Sequence, residues 1–510
     1  MPDAAALRWI AARGRWMQGG IAAALGAVAA LGQAPWDLWP LTLLAFAGLY
    51  GCYSVAPGWR RAAWLGVAGG AGYFAVALSW IVEPFLIDVA RHGWMAPFAL
   101  VLFAVGFALF WAGAQGIARR LGSGALGWAA MLTLSEALRG WLWTGFPWAQ
   151  PGHVLIATPM LRWASIGGAL PLTFAVLIGG AALWHLTLGR RWTGAAGLAA
   201  LAALAALWVG TPWLGAVPAP GMDAPVIRLV QPNVPQAEKW DPAHMQEHFD
   251  RQMRYTLADA PPDLIVWPET AVPTLLNRAE GILAGISEAA RGAPVVLGVQ
   301  RAEGARYFNS LLVLDGQGNR SALYDKHHLV PFGEYVPFGD LLEQFGIRGL
   351  AQQGGYGYSP GPGARLIDMG PLGAALPLIC YEGVFARDVA SAKGRADFML
   401  LITNDAWFGQ VSGPFQHLAQ ARLRSAEQGL PMIRAANTGV SAIIDAAGRI
   451  TAEIPLGQAG YLDAPLPPPT APTPYARNGD WPALALLALL ALVSALLHRV
   501  RNARASMVGD

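Results

Sequence analysis

The chain has 510 residues, a formal net charge of +3, 55% hydrophobic residues and only 13% charged residues. Soluble globular domains contain about 25% charged residues, so this shortage of charge indicates a membrane protein. The arginines form short clusters and no long basic stripe, which argues against a nucleic-acid-binding protein. The two cysteines, Cys52 and Cys380, do not suggest a disulfide framework, and Cys52 lies in an apolar run typical of a small buried hydrophobic residue.

Seven apolar stretches before residue 215 and an eighth near the C-terminus are long enough to cross a bilayer as helices, which takes about 18 residues or more. They are 17–34, 38–55, 62–82, 94–118, 124–140, 165–188, 194–213 and 481–498. The first stretch resembles a signal peptide in length, but further apolar stretches follow at once, so we interpret it as an uncleaved anchor. The pattern predicts a multi-span α-helical membrane domain.

The distribution of arginine predicts how this membrane domain is oriented. Twelve arginines fall on one side: Arg8, Arg13, Arg15, Arg60, Arg61, Arg119, Arg120, Arg190, Arg191, Arg499, Arg501 and Arg504. The short loops of the other side hold three: Arg91, Arg139 and Arg162. Because arginine-rich loops stay in the cytoplasm, both termini are predicted to be cytoplasmic. The block between the seventh and eighth spans is then predicted to lie outside, which is the periplasm in a bacterium with two membranes.

The block from about 221 to 465 has a different composition, with more charge and shorter apolar runs. Five runs have the length of a strand: Asp263–Pro268, Pro294–Val299, Ser310–Leu314, Ala374–Ile379 and Asp397–Thr403. Continuous apolar runs of this kind fit strands that are buried on both faces. Helical patterns at 277–291 and 415–428 separate some of them. An α/β domain with a mixed sheet covered by helices is predicted.

These features predict a layout along the chain. It consists of a seven-helix domain at 1–220, an α/β domain at 221–465, a proline-rich linker at 466–480, a final span at 481–498 and a tail at 499–510. Ala464–Pro474 (APLPPPTAPTP) is expected to be an extended spacer. Gly354–Gly363 is a glycine-rich loop, and it is interpreted either as a surface connection or as a mobile lid over a site.

Cys380 is a candidate nucleophile because of its position between two predicted elements. It follows the run Ala374–Ile379 and precedes a helical pattern that starts near Glu382. A cysteine at a strand-to-helix turn can expose its sulfur above the sheet, where N–H groups at the helix start lower the thiol pKa and bind an oxyanion. Taken alone, Cys380 could equally be a buried structural cysteine.

Glu269 and Lys326 supply the charges that such a nucleophile needs. Glu269 follows the run Asp263–Pro268, where partial burial would raise its pKa toward that of a useful general base. The Lys326 ammonium can hold a thiolate and an anionic intermediate. Taken singly, each could be an ordinary surface charge. His327 and His328 follow Lys326, but no other His or Cys stands nearby at ligand spacing, so no metal site is predicted.

Together these residues form a pattern that resembles the nitrilase superfamily, whose members use a Glu–Lys–Cys triad on an αββα sandwich. The matching stretches are Trp267–Thr270 (WPET), Asp325–Pro337 (DKHHLVPFGEYVP) and Cys380–Glu382 (CYE). With the eight spans and further matching stretches, the whole chain resembles the apolipoprotein N-acyltransferase family, a membrane-bound branch of that superfamily. The further stretches are Thr144–Trp148 (TGFPW), Gln231–Pro235 (QPNVP) with Trp240, and Asn404–Gly409 (NDAWFG).

The resemblance implies an activity and a place in the cell. It implies transfer of a fatty acyl group from a membrane phospholipid, through a thioester on Cys380, to the N-terminal amine of a diacylglyceryl-cysteine apolipoprotein. It implies no cofactor, no metal and no nucleic-acid partner. The expected location is the bacterial inner membrane, with the α/β domain in the periplasm.

The resemblance also implies roles for residues around the triad of Glu269, Lys326 and Cys380. Supporting or oxyanion roles fall to Glu334, Tyr381 and Glu382. Substrate-lining roles fall to Trp240, Trp407, Phe408 and Trp148, for each of which packing or, for Trp148, an interfacial aromatic anchor is the alternative. Glu136 and Arg139 are expected to pair near the end of a span, in either a functional or a structural role.

Two other functions share part of this pattern. A membrane-tethered amidase or nitrilase would use the same triad with water, but a soluble amide substrate needs no seven preceding spans. A transporter or scaffold with an inactive outer domain is contradicted by the intact triad. The scarcity of polar groups in the spans also argues against a transporter, since a solute pathway usually contains some.

Overall fold

The computed structural model describes residues 12–187, 191–337 and 357–508, and only the backbone at 191–193 and 501–508. The contacts divide the chain into two compact units. The helical unit comprises Met1–Phe85, Val89–Ala216 and Pro474–Asp510, and the middle unit comprises Leu86–Asp88 and Val217–Thr473. Outside the described residues lie Arg8, Arg190, the side chains of Arg191, Arg501 and Arg504, and residues 354–356 of the glycine-rich loop.

Each of the seven apolar stretches before residue 215 forms a helix. They are α1 (Arg15–Ala30), α2 (Trp39–Ser54), α3 (Trp59–Ala77), α4 (Ala96–Arg120), α5 (Ala125–Trp141), α6 (Ala169–Thr187) and α7 (Arg191–Val209). Between residues 12 and 215, the described part of this unit also has one-turn helices at Glu83–Leu86, Val89–His92 and Ala164–Gly167, and five short 3₁₀ turns.

Length and apolarity alone support fewer spans than the eight predicted. Within the described residues, three helical stretches are long and apolar enough to cross a membrane: Val89–Arg120, Ala169–Thr187 and Trp481–Val500. A fourth is added if Trp59–Ala77 and Ser79–Leu86, which are bent by 64°, count as one span. Helices α1 and α2 have 16 residues each, or about 24 Å at roughly 1.5 Å per residue, against a hydrocarbon core of about 30 Å. The count of eight stays a prediction.

Glycines allow α1 and α3 to approach each other closely. A Cβ atom at Gly26 of α1 would lie 1.9 Å from the Gly69 carbonyl oxygen, and one at Gly72 of α3 would lie 1.9 Å from that of Ala23. Neither position can hold a larger residue without moving a helix. Small residues at helix crossings are the usual means of packing helices in a membrane, where no hydrophobic force drives association.

The expected ion pair is present inside the helical unit. Glu136 and Arg139 bond to each other on α5, and both side chains are fully buried. The Trp111 indole N–H donates to Glu136 Oε1 at 2.7 Å, and Arg139 donates to the Phe146 carbonyl. Because a buried carboxylate and guanidinium need partners, these bonds compensate part of the desolvation of the pair.

The described residues of the middle unit, 217–337 and 357–473, form twelve strands. They are β1 (Val226–Gln231), β2 (Leu264–Val266), β3 (Val295–Glu303), β4 (Arg306–Leu314), β5 (Arg320–Asp325), β6 (Ile367–Asp368), β7 (Ala374–Ile379), β8 (Phe398–Thr403), β9 (Met432–Ala436), β10 (Ser441–Ile444), β11 (Ile450–Ile454) and β12 (Gly460–Pro465). The five runs predicted as strands all lie on β2, β3, β4, β7 and β8.

The strands form two six-stranded mixed sheets. The first has the order β12-β1-β2-β3-β4-β5, and the second has the order β11-β10-β9-β8-β7-β6. Strands β1 to β3 are parallel in the first sheet, as are β7 to β9 in the second, and the remaining pairs are antiparallel. The apolar runs predicted one mixed sheet, whereas the structure has two mixed sheets.

Helices cover the outer face of each sheet. They are α8 (Pro242–Leu257) and α9 (Glu280–Ala290) on the first sheet, and α10 (Gly413–Gln428) on the second. Side chains of successive residues face opposite ways, so Val266 and Leu400 enter the core between the sheets, whereas Ile265 and Leu401 pack under the helices. The αββα sandwich that the sequence resemblance implied is confirmed.

The end of the middle unit is a proline-rich segment that packs on its own domain. Residues 466–473 have no regular secondary structure, but Leu466 and Thr473 are buried. The Thr470 N–H donates to the Gly429 carbonyl at 3.0 Å, just beyond the end of α10. The middle unit ends at Thr473, eight residues beyond the predicted boundary at 465. A short helix, Pro474–Asn478, and α11 (Trp481–Val508) follow.

Candidate active site

The candidate catalytic residues all follow the carboxyl ends of strands, two of them after parallel strands of the two sheets. Glu269 comes three residues after β2, and Cys380 directly follows β7. Lys326 directly follows the antiparallel strand β5. Residues at the ends of buried strands are held by a rigid scaffold while their side chains stay available for chemistry.

Cys380 occupies an unusual backbone conformation. Its φ angle is +51°, in the left-handed region that a residue with a Cβ atom seldom adopts. It begins a 3₁₀ turn, Cys380–Val384, which is followed by a single helical turn at Ala386–Val389. The helix predicted from Glu382 onward is therefore shorter than expected, because Phe385 is extended and interrupts it. Such outliers occur preferentially at functional sites.

The Glu269 carboxylate is buried and fully oriented by hydrogen bonds. The Asn309 amide donates to Oε1 at 2.6 Å, and the Asn404 backbone N–H donates to Oε2 at 2.8 Å. Glu269 as a whole is 6% exposed. Asn309, on β4, was not singled out from the sequence. It also donates to Glu334 Oε1 at 3.2 Å, so one amide holds two acidic residues in place.

Lys326 lies between the two acidic side chains. Its Nζ is 2.9 Å from Glu334 and 3.8 Å from Glu269 Oε1. Burial alone would lower the pKa of Lys326, but the charges of Glu334 and Glu269 outweigh it and hold that pKa above its ordinary value. Lys326 is therefore an ammonium at any physiological pH. Glu334 lies beside Lys326, and the Val330 N–H donates to Glu334 Oε2 at 2.8 Å.

The thiol of Cys380 is electrostatically coupled to this pair. Burial raises the pKa of the thiol, and the negative charge of Glu269 raises it further, whereas Lys326 opposes both effects. The resting group is therefore a protonated thiol. Since the thiolate is the nucleophile, a base must remove the proton as the reaction begins.

Glu382 stabilises the turn around Cys380. Its Oε2 accepts from the Ile379 N–H at 2.8 Å, and its Oε1 accepts from the His327 N–H at 2.7 Å and from the Tyr324 hydroxyl at 3.0 Å. The side chain is fully buried. These bonds connect the turn Cys380–Val384, called the nucleophile turn below, to the segment that carries Lys326.

Tyr381 packs beside the same turn. Its ring meets Phe385 edge to face at 4.8 Å, and His328 at 5.4 Å. Burial raises the pKa of the Tyr381 phenol, which stays neutral. The two histidines after Lys326 face carboxylates, since His327 Nδ1 is 2.6 Å from Glu382 and His328 bonds to Asp388.

A pocket opens beside Glu269 and contains Trp240. Its empty volume is ≈ 370 Å³, open solvent included, and Lys239, Trp240 and Thr270 contribute to its lining. Lys239 Nζ donates to the Glu269 carbonyl at 3.1 Å and to the Thr270 hydroxyl at 2.6 Å. Burial lowers the pKa of Lys239 to about 8, against the opposing charges of Glu269 and Cys380. Lys239 was not singled out from the sequence, although it precedes Trp240.

The remaining aromatic candidates differ in burial. Trp407 and Phe408 are half-buried after β8, and Phe408 packs against the core between the sheets. Trp148 is 1% exposed in the helical unit, where its ring lies 4.6 Å from that of Trp80. The interpretation of Trp148 as an interfacial anchor is therefore wrong, because neighbouring aromatic rings cover it.

Comparisons with known proteins match both units. A family model described as carbon-nitrogen hydrolase matches residues 227–474, and one described as apolipoprotein N-acyltransferase N-terminal domain matches residues 25–182. The crystal structure of an amidase from Nesterenkonia sp. is 20% identical and covers 53% of this chain and 97% of its own, with a TM-score of 0.37.

Curated relatives extend over nearly the full length. A protein of Rhodopseudomonas palustris named apolipoprotein N-acyltransferase is 37% identical over 95% of this chain and 96% of its own. A protein of the same name from Azotobacter vinelandii is 38% identical over 97% of both chains. The chain therefore belongs to the apolipoprotein N-acyltransferase family and is an acyl-transferring enzyme with a carbon–nitrogen hydrolase domain.

Proposed function

We propose that the enzyme transfers a fatty acyl group from a membrane phospholipid, through a thioester on Cys380, to the N-terminal amine of a diacylglyceryl-cysteine apolipoprotein. The observation that carries this proposal is the buried set of charges around the Cys380 thiol. Glu269 and Lys326 both act on that thiol, and Glu334 and Asn309 fix both of them.

The first half-reaction loads the enzyme. Glu269 takes the thiol proton, and the sulfur of Cys380 attacks the ester carbonyl of the phospholipid. The carbonyl oxygen becomes an anion that the Lys326 ammonium stabilises, together with a backbone N–H of the turn at Tyr381 or a neighbour. When the carbon–oxygen bond breaks, Glu269 returns its proton to the departing lysophospholipid. The acyl group is left as a thioester.

The second half-reaction transfers the acyl group from the thioester to the acceptor amine. The free amine of the lipoprotein attacks the thioester carbonyl, and Glu269 takes a proton from the attacking nitrogen. Lys326 again stabilises the oxyanion, the carbon–sulfur bond breaks, and the sulfur of Cys380 recovers its proton from Glu269. Amines attack thioesters readily, so water must be kept from the intermediate. The burial of Cys380, which is 6% exposed, supports this requirement.

Roles for the aromatic residues follow from the same proposal. Trp240 lines the pocket beside Glu269, where it would contact the acyl chain or the acceptor. Trp407 and Phe408 are half-buried and would line the same reaction space. Tyr381 and Glu382 would support the nucleophile turn through the contacts described above.

The membrane location has a physical reason. Both proposed substrates are lipids, and each CH₂ group kept in the bilayer contributes roughly 0.8 kcal/mol. An enzyme that met its substrates in water would have to extract the acyl chains of both lipids from the bilayer. We place it in the inner membrane with the predicted layout of seven spans, a periplasmic domain at 221–465 and a last span at 481–498, which the arginine distribution favours.

The experiment that tests this function is intact-mass spectrometry of the purified full-length enzyme after incubation with phospholipid. We expect a mass gain of one acyl group on the wild type and on Cys52→Ala, the matched control for the other cysteine. No gain is expected on Cys380→Ala. A diacylglyceryl-cysteine peptide should discharge the adduct with formation of an amide.

Two results would contradict the proposal. An adduct that only water discharges would indicate a hydrolase. An active preparation that never gains an acyl group would remove the thioester mechanism.

A further inference from the structure

Side chains of helix α10 contact both ends of the nucleophile turn, Cys380–Val384. His417 Nε2 lies 3.3 Å from the carbonyl oxygen of Cys380, and Arg424 donates to the carbonyl of Val384 at 3.1 Å. The two ends of the turn Cys380–Val384 are therefore both held by side chains of α10. A buried carbonyl needs a donor, and the imidazole of His417 is in position to supply one to Cys380.

A second group of residues fixes the imidazole from its other side. His417 Nδ1 is 2.9 Å from Asp405 Oδ1, and the other oxygen of Asp405 accepts from Arg434 at 2.6 Å. The Thr403 hydroxyl also donates to Asp405, at 2.9 Å. The His417, Asp405, Arg434 and Thr403 side chains are buried. A buried network whose members bond to one another is rigid, so it fixes the position of the ring.

The charges and contacts around Asp405 and His417 indicate where this network carries its protons. Burial opposes ionisation of Asp405, but the charges of Arg434 and His417 outweigh it and hold the pKa of Asp405 below its ordinary value. Asp405 is thus a carboxylate. His417 faces an acceptor from each ring nitrogen, the Asp405 oxygen at Nδ1 and the Cys380 carbonyl at Nε2. Arg434 Nη2 also lies beside the ring, 3.2 Å from Nδ1. A proton on Nε2 is required for the bond to Cys380.

We propose that His417 is a positioning residue for the nucleophile. Its Nε2–H binds the Cys380 carbonyl and holds Cys380 in its left-handed conformation, so that the thiol faces Glu269 and Lys326. This inference rests on the proposed function, in which Cys380 is the nucleophile. His417 need touch neither substrate, and Asp405 serves to orient the ring.

The left-handed conformation explains why such a restraint is needed. A residue with a Cβ atom at φ +51° is strained, and a strained residue relaxes unless its surroundings hold it. Relaxation would rotate the peptide plane after Cys380 and move the thiol. A misplacement of the reacting atom by about 1 Å slows a reaction by about 100-fold.

The test uses two neutral substitutions that each keep one ring nitrogen. In His417→Gln the amide nitrogen takes the position of Nε2 and can still donate to Cys380. In His417→Asn it takes the position of Nδ1 and can reach only Asp405. The full-length variants are compared by the rate at which Cys380 gains an acyl group at several phospholipid concentrations. The rate at which iodoacetamide alkylates Cys380, in a Cys52→Ala background, serves as a reading without substrate.

We expect His417→Asn to slow acylation and alkylation by about 100-fold, with the half-saturating phospholipid concentration unchanged. His417→Gln should restore both rates to within about fivefold of the wild type, because it keeps the donor. Equal rates for the Asn variant and the wild type would overturn the proposal. So would equal losses in the Gln and Asn variants at wild-type unfolding temperatures, since the Nε2 donor would then not matter.

Two further arms keep the result decisive. If His417→Asn does not fold, His417→Met, which fills the space without a donor, takes its place with the same expectation and the same overturning result. If the wild type gains no acyl group, the proposed function fails, but the alkylation rates still decide the role of His417.

Discussion

Two charges of opposite sign act on the Cys380 thiol, which gives opposite predictions for their removal. Glu269→Gln removes a negative charge, so the pKa of the Cys380 thiol should fall and the alkylation–pH curve should move to lower pH. Lys326→Gln removes a positive charge and should move the curve to higher pH. Iodoacetamide alkylation in a Cys52→Ala background measures both. Lys393→Gln, at an exposed lysine, is the control and should leave the curve unchanged.

The same Glu269 variant separates thiol reactivity from catalysis. Although its thiol should ionise more easily, acylation by phospholipid should fall by about 100- to 10 000-fold, the usual contribution of a general base. Acylation that stayed at the wild-type rate would show that Glu269 is not the base.

Lys239 predicts a pH dependence of stability. Its pKa is lowered to about 8 in the folded protein, below the ordinary value of 10.5. Between these two values the unfolded chain binds a proton that the folded protein does not, so the free energy of unfolding should rise with pH. Relative to Lys239→Met, the unfolding temperature of the wild type should increase between pH 8 and pH 10. A difference in unfolding temperature between wild type and Lys239→Met that stays constant or falls over this range would contradict the assignment. So would an equal rise of the wild type relative to Lys393→Met, the control at an exposed lysine.

At the scale of single residues, the sequence singles out the triad and Glu334 as candidates because short motifs surround them. Asn309, Lys239 and His417 carry no such signal in one sequence. Each acts through a contact with a residue far along the chain, as Asn309 does with Glu269, 40 positions away. The left-handed conformation of Cys380 was also not foreseen, since cysteine has no preference for it.

At the scale of elements, the crossing of α1 and α3 predicts a sharp contrast between two glycines of one helix. Gly26→Ala places a methyl group against the Gly69 carbonyl and should lower the stability by roughly 1–3 kcal/mol. Gly20→Ala meets no atom within 4 Å and should raise it by up to about 1 kcal/mol through helix propensity. Thermal unfolding in detergent measures both. Equal effects would show that the helices do not cross here.

Elements were predictable where they bury apolar side chains and less so elsewhere. The strands β7 and β8 coincide with apolar runs because both faces are covered. Helix α8 was missed because it is polar, although Asp241 and Pro242 mark its start, where Asp241 accepts from the Ala243 N–H at 3.0 Å. The short helix after Cys380 depends on Phe385, whose conformation is a tertiary effect.

At the scale of the whole molecule, orientation in the membrane depends on whether the number of spans before residue 217 is odd. Seven spans would place the middle unit on the side opposite the cytoplasmic N-terminus, and the last span would return the C-terminus to the cytoplasm. Alkaline phosphatase fused after residue 217 should then be active, and a fluorescent protein fused to the C-terminus should fluoresce. A fusion after residue 57, between α2 and α3, is the cytoplasmic control and should lack phosphatase activity. An inactive phosphatase at 217 would require an even number of spans.

The pairing of β1 with β12 governs the order in which the middle unit can be completed. Val226 pairs with Pro465, and the buried Arg228 finds the carboxylate of Asp463 235 positions later. Until the ribosome has made β12, β1 is an open sheet edge carrying an unneutralised guanidinium. Open edges invite pairing with other chains, and long loops close slowly. During biosynthesis the nascent domain should therefore require protection from aggregation until almost the whole polypeptide has been synthesised.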